Sequence, residues 1–132
     1  MNCRFELVDI RLVWDRIKAD VDALKAEYNL DWRSEDVYAQ CLMGRAFCYV
    51  CPDGFVIVKP QENPFTLAKE LFVWICVGRG GDDLNEYYPD ICAIAKDIYA
   101  TAIIFESPRP GFRRLAERNH WPGMTAYRLP VV

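Results

Sequence analysis

Glu70 to Arg114 reads ELFVWICVGRGGDDLNEYYPDICAIAKDIYATAIIFESPRPGFRR, and its opening residues decide the fold. Leu71 to Val77 is apolar without alternation, rich in β-branched and aromatic side chains, and seven residues long. That pattern predicts a strand buried on both faces, the central strand of a sheet. It stops at Gly78-Arg79-Gly80-Gly81, where three glycines in four positions permit positive φ and close approach of another group. Helical spacing of Leu84, Tyr87, Tyr88, Ile91, Ala95 and Ile98 follows, and then a second apolar strand, Thr101 to Phe105. A glycine-rich turn between a strand and a helix start is where α/β proteins bind phosphate groups. Asp82 or Asp83 is placed to cap the helix, and Pro89 either sits in its first turn or bends it.

The spacing of the turn excludes two common phosphate motifs. GxGxxG fails because Asp83 stands where the third glycine belongs, and GxxxxGK followed by Ser or Thr is absent. The element order instead resembles the GNAT acetyltransferase superfamily: a long strand, a short turn, a helix, and a strand splayed from the first. AIIFES, then Arg109-Pro110-Gly111-Phe112 opening an arginine-rich helix, then Tyr127-Arg128-Leu129, is most similar to small GNAT-like proteins encoded by bacteriophages. The resemblance covers roughly Arg45 to Leu129 and implies a mixed α+β fold, its mostly antiparallel sheet carrying a splayed parallel strand pair flanked by helices.

That resemblance also implies a chemistry. Acetyl-CoA would enter where Leu71–Val77 and Thr101–Phe105 diverge, its pantetheine pairing with strand backbone near Cys76 and Val77. Its pyrophosphate would meet amides from Gly78 through Arg79, Gly80 and Gly81 at the helix start, with Arg79 adding a charged contact. Glu70 is the implied general base for the acceptor amine and Tyr127 a candidate acid for the departing thiolate. The family's turn runs Gln or Arg, two residues, Gly, one residue, then Gly or Ala. Here Cys76 takes the first position and Arg79 the place of the first glycine. The tyrosine that the family often places on the helix after the splayed strand is missing between Phe112 and Asn119. A second reading is therefore a GNAT-fold accessory or virion-associated protein without catalysis, acting through a protein partner.

The remainder of the chain frames this unit. At 132 residues, with 52% hydrophobic and 27% charged residues, 1–132 is expected to be one globular domain. Met1 to Leu12 is broken by charges and no run reaches membrane-spanning length, which predicts a cytoplasmic protein, in host cytoplasm or virion if phage-encoded. A net charge of −3 argues against general nucleic-acid binding. The C-terminal region is nevertheless locally basic, with Arg109, Arg113, Arg114, Arg118 and Arg128 against Glu106 and Glu117, a face for an anionic ligand or acidic partner.

The six cysteines read as reduced thiols, because the single histidine, His120, lies far from the Cys48-x-x-Cys51 pair and no zinc set forms. Met1 to Val8 is a candidate strand with Cys3, Phe5 and Leu7 on one side. Asp9 caps a helix whose inner stripe is Ile10, Val13, Trp14, Ile17, Val21, Leu24 and Tyr28. Ser34 caps a second helix with Val37, Tyr38, Cys41 and Leu42 inward, ended by Gly44; Trp32 and Tyr38 are candidates for an acceptor pocket. Ala46–Cys51 and Phe55–Lys59 form a hairpin through Pro52-Asp53-Gly54, with a loop from Gln61 to Thr66 where Pro60 and Pro64 break the ladder. Gly111 to Asn119 is the last helix, with Phe112, Leu115 and Ala116 inward, and Met124 to Leu129 a closing edge strand.

Overall fold

The computed structural model describes residues 4–78, 83–106, 110–124 and 126–131. Its elements run β1 (Glu6–Val8), α1 (Ile10–Tyr28), α2 (Ser34–Leu42), β2 (Phe47–Cys51), β3 (Gly54–Glu62), β4 (Lys69–Gly78), α3 (Asp83–Asp97), β5 (Ala102–Phe105) and α4 (Pro110–Arg118). The five strands form one sheet in the order β1-β2-β3-β4-β5. Every neighbouring pair is antiparallel except β4 and β5, which are parallel. This is the mixed α+β architecture expected, with β4 as its longest strand.

Two apolar layers sandwich the sheet. On one face α1 and α2 bury Ile10, Ile17, Val21 and Val37 against Cys48, Phe55, Ile57 and Ile75. On the other, α3 and α4 bury Tyr87, Ile91, Ile94 and Leu115 against Val56, Val58, Leu71 and Val73. Cys48 and Cys51 belong to opposite layers, because an odd separation along a strand points side chains to opposite faces. The CxxC therefore cannot converge on one ion, and no cluster of potential metal ligands exists among the described residues.

Asp9 caps α1 by accepting from the Arg11 amide at 2.9 Å, and Asn29 closes that helix in the left-handed region at φ 49°. Ser34 is not the cap of α2. It is the first helical residue, its hydroxyl donating to Asp22 on α1, while the Asp36 carboxylate accepts from the Arg33 amide at 2.8 Å and holds the N-terminus. Gly44, at φ 73°, follows α2 in the conformation that ends helices. Leu42 is exposed instead of inward.

Four further expectations change. Of the strand expected over Met1 to Val8, the described residues form Glu6–Val8, with Phe5 buried and Leu7 largely exposed, and Cys3 lies outside the described residues. β3 continues through Pro60 to Glu62, and the connecting loop moves to 63–68. The ladder survives the proline because β2 pairs only as far as Val58, so beyond it β3 has a partner on one side alone. α3 begins at Asp83 and carries Pro89 well inside. Among the described residues of Met124 to Leu129, which leave out Thr125, there is no strand, and Met124, Tyr127 and Leu129 are exposed.

Candidate active site

The site is built from the C-terminal half of β4. Ile57 pairs with Ile75 and Val58 with Val73, so Trp74 has no partner on β3 and forms a β-bulge. The bulge switches faces: Leu71 and Val73 pack with α3, whereas Trp74, Ile75 and Val77 pack with α1 and α2. This explains a run without alternation better than burial on both faces does, since Phe72 and Trp74 are only half-buried. Parallel pairing with β5 ends at the same height, with Val73 opposite Phe105. From Trp74 to Gly78 the side of β4 toward β5 has no strand partner among the described residues, which leaves a gap beside this half of the strand.

Of the residues singled out for acyl-CoA, Cys76 and Val77 line this open half of β4 and Gly78 ends it. Arg79, Gly80 and Gly81 lie outside the described residues. α3 starts at Asp83, so its N-terminus, with the positive partial charge of a helix start, is separated from the end of β4 by four residues.

A polar cluster absent from the sequence expectations secures this end of the sheet. The buried Tyr87 hydroxyl donates to Asp53 Oδ1 at 3.0 Å, and the Cys51 thiol donates to the same oxygen at 3.2 Å. The thiol and phenol hold the Asp53 carboxyl below its usual range. Burial, then Cys51 and Asp53, push Tyr87 far up, so it stays a donor. Gly54 allows this packing: a Cβ there would lie 2.4 Å from the Val77 carbonyl oxygen and 2.6 Å from the Tyr87 hydroxyl. Arg4 adds a clasp to α3, its guanidinium reaching Asp90 Oδ2 at 2.7 Å and its amide Asp90 Oδ1 at 3.0 Å. The Pro-Asp-Gly turn showed only as a turn in the sequence; its partner Tyr87 is 34 residues away.

On the α1 and α2 face the bulged Trp74 meets Trp32 edge-to-face at 5.8 Å, and the Lys59 ammonium sits 5.0 Å from the centre of the Trp74 ring. Trp32 thus stands at the divergence, whereas Tyr38 packs on Trp14 at 5.1 Å within the core layer. Glu70 lies on this face by alternation with Leu71, accepts from Gln61 at 3.3 Å, and is about 13 Å from Trp74 along the strand. Tyr127 is exposed in a segment without regular structure, but the next residue, Arg128, pairs at 2.8 Å with Asp31, the neighbour of Trp32. Burial lifts the thiols of Cys41 and Cys48 to about 11 and about 12, so neither is a nucleophile at neutral pH.

The mixed sheet of five strands with one parallel pair and four helices matches the fold of GNAT acetyltransferases. A solved structure described as a probable acetyltransferase superposes with a TM-score of 0.71 at 10% identity, covering 98% of both chains. A putative acetyl transferase from Pyrococcus furiosus gives 0.65 at 13% identity, over 96% of this chain and 99% of its own. A ribosomal-protein-alanine N-acetyltransferase from Brucella melitensis biovar Abortus 2308 gives 0.59 at 16%, over 97% of each. No protein-family model matches the sequence, and no curated protein does. The kinship is one of fold.

Proposed function

We propose that the chain is an acyl-CoA-dependent N-acyltransferase. The observation that carries this reading is the parting of β4 and β5 after Val73 and Phe105, beyond which β4 has no strand partner on that side among the described residues, and a pantetheine arm would lie along it. The pyrophosphate would lie at Gly78 to Gly81, on the amides before α3, with Arg79 as counter-charge. The acceptor would approach from the α1 and α2 face over Trp32 and Trp74. Its neutral amine attacks the thioester carbonyl; the C–N bond forms, the C–S bond breaks, and the thiolate leaves with a proton.

Two side chains are assigned roles in that step. Glu70, too far along β4 to touch the thioester, draws the acceptor ammonium to this face and takes its proton through water. Tyr127, next in the chain to the Arg128 that pairs with Asp31, would be the acid for the thiolate. Calorimetric titration with acetyl-CoA tests the reading. Saturable micromolar binding, abolished by Gly80→Glu, is expected, and no heat at millimolar acetyl-CoA would refute it. In that event the exposed Arg113, Arg114 and Arg118 of α4 would direct the search to an acidic protein partner.

A further inference from the structure

A second concavity lies at the other end of the sheet. Strand alternation and register bring Phe47 and Tyr49 of β2, Val58 and Pro60 of β3, and Lys69 and Leu71 of β4 onto the α3 face, all lining one cleft of about 350 Å³. Val58 and Leu71 are its buried floor. Ile94 and Ile98, from the last turn of α3 and just beyond it, form a wall, and the largely exposed Leu7 of β1 forms a lip. The cleft exists because a five-stranded sheet is about 24 Å wide and a helix only about 10 Å. With α3 and α4 packed over its β4 side, no described element covers the β1 and β2 edge. Apart from the Tyr49 phenol the described lining is otherwise apolar, with Lys69 as its one charged member among the described residues. Glu62 stands opposite Lys69 in the ladder, yet it does not line the cleft and no ion pair joins the two among the described residues.

We infer that this cleft binds a medium-chain carboxylate, the chain between Leu71 and Ile94 and the carboxylate at Lys69. The volume supports that size: a dry cavity of about 150 Å³ holds benzene, so more than twice that space takes a chain on the order of eight to ten carbons. It is also within the range of ligand pockets, which start at about 300 Å³. The charge selects the head group, since an ammonium at the rim and no carboxylate among the described lining residues favour an anion over a cation. The cleft is separate from the acyl-CoA gap, because Leu71 is about 17 Å from Cys76 along β4. The inference does not rest on the acyltransferase reading.

Calorimetry with octanoate and octylamine, without acyl-CoA, tests it. Octanoate is expected to bind saturably and octylamine more weakly. Lys69→Glu should weaken octanoate roughly fivefold and improve octylamine, because a rim-exposed charge contributes at most about 1 kcal/mol. Ile98→Trp should fill the cleft and remove both, with Leu7→Trp at the exposed lip as the alternative should the first variant fail to fold. Equal binding of the two amphiphiles, octanoate binding unchanged by both the charge reversal and the filling variant, or no saturable heat at millimolar octanoate would each overturn the proposal.

Discussion

Gly54 occupies the tightest position at the end of the sheet, beneath the Tyr87 hydroxyl and against the Val77 carbonyl. Its need for glycine is set by space, since the atoms a methyl group would strike include main chain that can move only with the strand. Gly54→Ala is therefore expected to push β3 from β4, at a cost of about 1–3 kcal/mol, the range for overpacked interiors. Chemical denaturation should show a lower midpoint with an unchanged slope. The shift should also reach the Tyr87–Asp53 hydrogen bond, because both groups adjoin the same Cα. Stability equal to that of the unaltered protein would mean that the hairpin and α3 are less tightly docked than the 2.4 Å approach implies.

At the scale of elements, α1 depends on a charged cap whose strength varies with pH. Arg11, by its side chain and then its amide, lowers the Asp9 carboxyl from 3.8 to about 2. A carboxyl depressed on folding stabilises the native state fully above its unfolded value, and that contribution is lost as pH falls toward the folded value. Asp9→Asn, which keeps a capping oxygen and removes the charge, should thus be less stable than the native sequence at pH 7. The gap should narrow below pH 3.8 and close near pH 2 in pH-resolved denaturation. A constant gap across that window would assign the loss to cap geometry instead. α1 was legible in the sequence because periodic burial and capping are local. The elements that shifted depend on distant neighbours: Pro60 is admitted to β3 because β2 ends beside Val58, and Ser34 yields the cap because Asp22 binds its hydroxyl. Met124 to Leu129 reads as a closing edge strand in the sequence, but nothing local to it supplies an edge to pair with.

For the whole molecule, the two apolar layers meet through β4, and the Trp74 bulge lets one strand serve both. An apolar run such as Leu71 to Val77 looks the same whether it is buried on both faces or bulged, so the sequence located the site without its geometry. The Asp53–Tyr87 and Arg4–Asp90 contacts were hidden for a different reason, since they join residues 34 and 86 positions apart. The Arg4 clasp makes α3, and with it the helix start at the gap, depend on the N-terminal segment. Asp90 is only 7% exposed on its side chain, whereas Arg4 is 47% exposed, so solvent screens part of the attraction. Arg4→Ala would still leave a nearly buried carboxylate without its guanidinium and uncover the Tyr87 ring that the guanidinium overlies at 5.3 Å. Amide hydrogen exchange should then quicken roughly tenfold along α3, while α1, packed on the opposite face, keeps its protection. Acetyl-CoA affinity should fall with it, since a loosened helix start must be ordered before it can hold a pyrophosphate. Uniform acceleration in both helices would show instead that the clasp stabilises the domain globally, with no particular control over the end of α3 at which the acyl donor is proposed to bind.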